Sequence, residues 1–189
     1  TTKILRESAV DFTRLDSLQD LDDEIDVLVV GVGTGGTITG TAKYLKERKP
    51  ELTVVGVDPE GSIYTAASDD DVTTYLIEGV GEDFWPETYD PSVTDRYEMV
   101  TDAQAFAMTR RLAVEEGLLV GGSSGVNVAG AIRLARQLGP GHTIVTILCD
   151  SGLRYRQRLF NPEFLRSKGL PVPGWMNGPE RILPTVFMD

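Results

Sequence analysis

The sequence predicts an α/β fold in which a parallel sheet is flanked by helices, and three features predict it. Residues 25–30 form a nearly continuous apolar and β-branched run, the pattern of a strand buried on both faces. A glycine cluster and an amphipathic helix then lead to a second such run at residues 53–57, which makes a βαβ unit. The order strand, glycine cluster, helix and strand recurs between residues 118 and 148. Strands that alternate with helices in this way are typical of α/β layers.

The individual elements follow from local start and stop signals. Pro50 ends the first helix, Asp102 is predicted to cap the second, and Gly117 is predicted to end it. The predicted elements are, in order, a strand at 25–30, a helix at 38–49, a strand at 53–57, a helix at 102–116, a short strand at 118–120, a helix at 126–138 and a strand at 143–148. Each of the two glycine clusters therefore follows a strand and precedes a helix.

The composition excludes several classes of function. The 189 residues include 18 Lys and Arg against 29 Asp and Glu, a net charge of −11, whereas proteins that bind nucleic-acid backbones need clustered basic side chains. No apolar run approaches the roughly 20 residues of a membrane span. Because Cys149 is the only cysteine, we expect neither a disulfide framework nor a cysteine-based zinc site. A cytoplasmic protein with no metal and no nucleic-acid or membrane partner is expected.

The first glycine cluster, residues 31–37, predicts an anion site. Backbone N–H groups and the positive end of the following helix converge there, and glycines allow the close approach of a phosphate. Gly31, Gly33 and Gly36 also satisfy the dinucleotide pattern G-x-G-x-x-G, with Asp58 about 20 residues further on as a ribose acceptor. By this motif alone, an NAD-dependent oxidoreductase is one of the hypotheses.

The second glycine cluster, residues 121–125, adds two serine hydroxyls beside a loop of the same type. A dinucleotide enzyme has no specific need of them. A heteroaromatic cofactor whose ring nitrogen requires a hydroxyl partner would use one. Alternatively, Ser123 and Ser124 only cap the helix that follows.

Taken together, the motifs resemble a known family. Four of them occur in the order and approximate spacing of the pyridoxal-phosphate β-replacement enzymes of the cysteine synthase and cystathionine β-synthase family. They are Gly33-Thr34-Gly35-Gly36-Thr37, Gly56-Val57-Asp58-Pro59, Glu78-Gly79-Val80-Gly81 and Gly121-Gly122-Ser123-Ser124-Gly125. The resemblance covers roughly residues 26–170 and implies the larger domain of a tryptophan-synthase-β-like fold, fold type II.

The resemblance implies a set of site residues and pyridoxal 5′-phosphate as the cofactor. Gly33, Thr34, Gly35, Gly36 and Thr37 would cradle its phosphate. Ser123 would hydrogen-bond its pyridine nitrogen, and Asp150 would lie near the cofactor. Gly79 and Gly81 would line the substrate face of the ring. Asp58 would then be a structural residue that initiates a turn.

The family reaction also needs a lysine that forms a Schiff base with the cofactor, and no lysine here stands in a matching context. The lysines are Lys3, Lys43, Lys46, Lys49 and Lys168. No catalytic residue is therefore assigned, and we expect a fragment that is inactive alone and works as a homodimer or with a complementing N-terminal half. Residues 1–25 are expected to be an acidic lead-in, residues 26–170 the cofactor-binding domain and residues 171–189 an irregular tail.

The implied reaction replaces the β-substituent of serine or O-acetylserine with a thiol. Homocysteine as the nucleophile, which gives cystathionine, is favoured over sulfide, which gives cysteine. An NAD-dependent oxidoreductase and a non-catalytic scaffold half remain as alternatives.

Overall fold

A computed structural model describes the backbone of residues 2–6 and all atoms of residues 25–177. The strands are β1 (Thr2–Arg6), β2 (Val27–Gly31), β3 (Thr53–Pro59), β4 (Arg96–Val100) and β5 (Ile144–Leu148). The helices are α1 (Gly36–Lys46), α2 (Asp102–Glu115), α3 (Gly122–Leu138) and α4 (Pro162–Ser167). Short 3₁₀ turns lie at Asp69–Asp71, Pro91–Val93, Gly152–Tyr155 and Gly174–Asn177.

The five strands form one parallel sheet in the order β1-β5-β2-β3-β4. The central strand β2 pairs Leu28 with Val54 of β3 on one side and with Val145 of β5 on the other. Strand β2 therefore lies between β3, the next strand in the sequence, and β5, the last one. In open α/β sheets, the carboxyl ends of the strands at such a point form a crevice for ligands.

Helices cover both faces of the sheet, as the near-continuous apolar strands predicted. Val27 and Val29 of β2 pack in one core cluster with Val126 and Leu134 of α3. The alternate residues Leu28 and Val30 pack in the other cluster, with Ile38 and Leu45 of α1. Because successive strand residues point to opposite faces, the first four residues of β2 are all buried. Helices on both faces of a parallel sheet confirm the predicted fold class.

Several predicted boundaries are wrong in detail. Thr101, not Asp102, caps α2: the Thr101 hydroxyl accepts from the N–H of Gln104, whose side chain accepts in turn from the N–H of Thr101. The Asp102 carboxylate instead accepts hydrogen bonds from the backbone N–H groups of Leu76 and Ile77. It therefore holds the segment that leads into the turn at Gly79.

Two other differences concern residues 118–125. Residues 118–120 form no strand, because Val120 makes only a single bridge, to Ser151. Helix α3 begins at Gly122, so the serines of the second glycine cluster lie inside its first turn.

The predicted lead-in and tail fall mainly on residues 7–24 and 178–189, outside the described part of the chain. No helix among the described residues has the length and apolar character needed to cross a membrane.

Candidate functional site

The first glycine loop joins the end of β2 to the start of α1 and presents a series of backbone N–H donors. Gly35 is the N-cap of α1 with a φ of 81°, a left-handed conformation that favours glycine. Within the described residues, the N–H groups from Gly33 to Ile38 donate no hydrogen bond. Such a run of N–H groups at a helix N-terminus is suited to an anion.

A cleft of about 140 Å³ lies against this loop, several times the space that one water needs. The residues that line it are Val30, Gly31, Gly33, Thr34, Gly35, Gly36, Thr37, Ile38, Gly79, Val80, Asn127, Ile147 and Cys149. The structure thus brings the predicted phosphate loop and the predicted substrate-side Gly79 to one cleft, at the carboxyl ends of β2 and β5.

Asn127 lines the same cleft, and the sequence interpretation missed it. Its side chain is 1% exposed, and Nδ2 donates to the carbonyl oxygen of Ile147 at 2.8 Å. The other amide atom, Oδ1, is buried with no partner among the described residues. An added Cβ on Gly31 would lie 2.7 Å from Oδ1, so glycine at this position leaves room for the amide. The available signal was the position of Asn127, one helical turn after Ser123.

The turn at Gly79–Gly81 packs directly on the phosphate loop. Both glycines have positive φ, 84° and 79°. The Gly81 N–H donates to the carbonyl oxygen of Val32 at 2.7 Å, and an added Cβ on Gly33 would lie 3.0 Å from the carbonyl oxygen of Gly79. Gly79 therefore lines the cleft, whereas Gly81 anchors the turn to the chain just before the loop.

The two serines at the start of α3 have different surroundings. Ser124 Oγ accepts a hydrogen bond from the N–H of Cys149 at 2.9 Å, which ties α3 to the end of β5. Ser123 is 4% exposed, and its hydroxyl makes no hydrogen bond to any described residue. Gly121 caps the helix without a side-chain bond, so the interpretation of the serines as caps is wrong. Ser123 shares a helix face with Asn127, four residues on.

Asp150 packs against the N-terminus of α3. Its backbone carbonyl accepts from the N–H of Gly121 at 3.0 Å, and its Oδ2 accepts from the Tyr155 hydroxyl at 2.8 Å. The other oxygen, Oδ1, is buried without a partner among the described residues. Burial, followed by the hydrogen bond to this carboxylate, raises the pKa of Tyr155 to about 12. The Tyr155 hydroxyl therefore stays protonated and orients Asp150.

Asp58 does not stand where a ribose could reach it. The side chain is fully buried, and its Oδ2 accepts from the Thr65 hydroxyl at 2.8 Å. Burial raises the pKa of Asp58 to about 6, although hydrogen bonds from Ser62 and Thr65 partly oppose the shift. The role of ribose acceptor in a dinucleotide site is therefore wrong for this residue.

None of the described lysine side chains lines the cleft. Lys43 pairs with Asp90 at 2.7 Å, Lys46 pairs with Asp95 at 2.7 Å, and Lys49 lies 3.7 Å from Asp26. Lys168 is exposed. In the sheet register, Lys3 of β1 stands beside Val145, near the start of β5, whereas the cleft lies at the other end of that strand.

The chain belongs to the family of pyridoxal-phosphate dependent enzymes, because residues 11–150 match the sequence profile of that family. The cofactor implied by the four motifs is thereby confirmed for the family. The described residues fit its phosphate: the N–H groups from Gly33 to Ile38 have no acceptor among them, and a Cβ added at Gly36 would meet nothing within 4 Å, so the start of α1 is open to a ligand.

The relatives narrow the family further. The chain is 44% identical over 162 residues to cystathionine beta-synthase of Oryctolagus cuniculus, a match that covers 84% of this chain and 29% of that protein. It is 41% identical over 165 residues to cysteine synthase 2 of Schizosaccharomyces pombe, which covers 78% of this chain and 42% of the relative. The predicted resemblance to the cystathionine β-synthase and cysteine synthase group is confirmed.

Solved structures agree with the sequence relatives. The crystal structure of O-acetylserine dependent cystathionine beta-synthase from Helicobacter pylori superimposes with a TM-score of 0.70 at 39% identity, over 75% of this chain and 45% of that one. A hydrogen sulfide-producing enzyme from Fusobacterium nucleatum gives a TM-score of 0.70 at 34% identity, over 74% of this chain and 47% of that one. The chain thus spans less than half the length of each of these relatives.

Proposed function

We propose that this chain is the cofactor-binding part of an enzyme that replaces the β-substituent of serine or O-acetylserine with a thiol. The proposal is carried by the N–H groups from Gly33 to Ile38, which lie at the edge of a cleft and have no acceptor in the part of the chain that the structure describes. The N–H groups, rather than basic side chains, would bind the phosphate, which is compatible with the net charge of −11.

Other residues of the chain would orient the cofactor ring. Pyridoxal phosphate, when bound, supplies an electron sink for charge at the α-carbon of an amino acid. The Ser123 hydroxyl would donate to the pyridine nitrogen, since it is buried and uses no described protein partner. A neutral hydroxyl leaves that nitrogen largely unprotonated, which limits the sink and favours β-replacement over racemisation. Asp150 would support the same end of α3.

The turn at Gly79–Gly81 would form the substrate side of the cleft. Positive φ at both glycines and the hydrogen bond from Gly81 to Val32 hold this turn against the phosphate loop. Homocysteine is the favoured nucleophile, because the relative with 44% identity is a cystathionine beta-synthase and the superimposed Helicobacter structure carries the same name. Sulfide is the alternative, supported by the cysteine synthase relative.

We further propose that turnover requires a lysine from outside the described residues. The described lysines are paired with acids or exposed, and none lines the cleft. This chain alone should therefore bind the cofactor reversibly. Treatment with borohydride at stoichiometric pyridoxal phosphate should label no single lysine of this chain preferentially.

The function is tested by supplying the part of a relative's fold that lies outside its match with this chain. The chain is produced together with the unmatched part of the Helicobacter pylori relative, and that part alone is the control. Serine or O-acetylserine with homocysteine should give cystathionine, measured by mass spectrometry, and sulfide in place of homocysteine should give less product. A folded pair that retains pyridoxal phosphate but forms neither product would contradict the proposal and favour a scaffold role.

A further inference from the structure

Three consecutive carbonyl groups of the phosphate loop are held from outside the loop. The Val32 oxygen accepts from the Gly81 N–H at 2.7 Å, and the Gly33 oxygen accepts from the Tyr64 hydroxyl at 2.6 Å. The Thr34 oxygen accepts from the Thr88 hydroxyl. All three donors come from the segment between β3 and β4, which forms a strap over the loop.

These bonds set the direction of the loop's donors. A trans peptide unit is planar, and its C=O and N–H groups point in opposite directions. No cis peptide bond occurs among the described residues. Each carbonyl that faces the strap therefore turns the N–H of the next residue away from it, and these are the N–H groups of Gly33, Thr34 and Gly35. They are among the donors that have no acceptor within the described part of the chain.

Tyr64 is itself rigidly placed. It is 7% exposed, and its ring meets Trp85 edge-on at 5.2 Å and Tyr89 at 5.1 Å between centroids. Burial raises the pKa of Tyr64 well above its usual value, and the nearby acids raise it further. The hydroxyl therefore stays protonated at neutral pH and remains a donor. The preceding residue, Ile63, donates its N–H to the Glu82 oxygen at 2.9 Å.

We propose that Tyr64 and Thr88 are positioning residues for the cofactor phosphate. They would act through the backbone, since each hydroxyl fixes the peptide plane whose N–H then faces the phosphate. This inference rests on the proposed phosphate site at Gly33–Thr37. Loss of either hydroxyl would leave the loop intact but let that peptide rotate, so binding of the phosphate would weaken.

The test compares ligands with and without a phosphate. Equilibrium dialysis of the full chain measures the affinity of pyridoxal 5′-phosphate, inorganic phosphate and pyridoxal. Tyr64→Phe should weaken the two phosphate ligands by about fivefold, the effect of one hydrogen bond. Pyridoxal should bind as it does to the wild type. The matched control is Tyr44→Phe, a half-buried tyrosine on α1 whose ring packs against Arg48.

Two variants of Thr88 provide an independent test, because they differ in whether the hydroxyl is kept. Thr88→Val removes the hydroxyl at nearly constant volume and should weaken phosphate binding, whereas Thr88→Ser keeps the hydroxyl and should restore it. If Tyr64→Phe and Thr88→Val bound inorganic phosphate as tightly as the wild type, the positioning role would be overturned, but the proposed phosphate site would stand. The positioning role would also be overturned if the variants lost affinity for pyridoxal as much as for the phosphate ligands. Failure of the wild-type chain to bind either phosphate ligand would instead overturn the proposed site, and the inference with it.

Discussion

Asp58 shows at the residue scale how burial changes the meaning of a motif. Its distance from the first glycine cluster matches an acidic ribose acceptor, yet the side chain is fully buried and bonded to Thr65. A ribose-binding acid and a buried structural acid can have the same spacing from the glycines, so only the surroundings of the side chain distinguish the two roles. The buried carboxyl has a pKa raised from 3.8 to about 6, so folding favours its neutral form.

The raised pKa predicts a pH-dependent stability. Because the folded pKa lies above the unfolded value, the contribution of Asp58 is present below about pH 4 and is lost as the pH rises through 6. Relative to Asp58→Asn, the wild type should lose on the order of 3 kcal/mol of unfolding free energy across this window. Urea unfolding followed by tryptophan fluorescence at pH 4 and pH 7 measures the difference. Asp70→Asn, at an exposed position, is the control, and a constant offset between wild type and Asp58→Asn would contradict this account.

At the element scale, the loop and helix α1 contain two glycines with opposite expected responses. An alanine Cβ at Gly35 would lie 2.3 Å from the Tyr89 Cβ, at a φ of 81°. An alanine Cβ at Gly40 would meet nothing within 4 Å, in the middle of an exposed helix face. Gly35→Ala should therefore destabilise the chain by about 2 kcal/mol or more and weaken pyridoxal phosphate binding at least tenfold. Gly40→Ala should stabilise it by up to about 1 kcal/mol.

Thermal unfolding and dialysis on the two alanine variants check this prediction. The chemical change is identical, so a common effect of added methyl groups cannot explain opposite results. If Gly35→Ala kept wild-type stability and affinity, the close approach of the strap to the loop would be wrong.

The elements that the sequence predicted are those with strong local signals. The strands β2, β3 and β5 are mostly apolar and β-branched, and a glycine or proline lies within a few residues of the carboxyl end of each. Strand β4 was missed because Arg96 and Glu98 interrupt its pattern. Glu98 is nonetheless buried, since its carboxylate pairs with Arg96 and with Arg133 of α3. That partner lies 35 residues away in the sequence, so no local pattern indicates it.

The start of α3 escaped prediction for a similar reason. A glycine-rich stretch has weak helix propensity, and its helical conformation depends on packing. An added Cβ on Gly125 would lie 2.2 Å from the Thr109 hydroxyl and 2.3 Å from the Ala105 oxygen, both on α2. The glycine is therefore needed for the close contact between α2 and α3. Likewise, Asn127 and Tyr64 donate to the carbonyl oxygens of Ile147 and Gly33, partners that only the fold brings near them.

At the scale of the whole molecule, the sheet order explains the position of the cleft. The chain leaves β2 toward β3 on one side, while β5 lies on the other, so the carboxyl ends of β2 and β5 open beside each other. The loop after β2 supplies N–H groups that have no acceptor among the described residues, and the region around β5 and α3 supplies Ile147 and Asn127. Residues far apart in the sequence thus form one site at the point where ligands bind in α/β sheets.

The most direct test of the central claim follows the backbone amides of the ¹⁵N-labelled chain by NMR during titration with pyridoxal 5′-phosphate. We expect the largest shifts at the amides from Gly33 to Ile38, with smaller shifts at Ser123 and Asn127. Inorganic phosphate should shift the same loop amides and leave Ser123 unchanged, because it has no ring. The account would be contradicted if saturating pyridoxal phosphate left the signals of the amides from Gly33 to Ile38 unchanged. It would also be contradicted if NAD shifted these signals at a lower concentration than pyridoxal phosphate does.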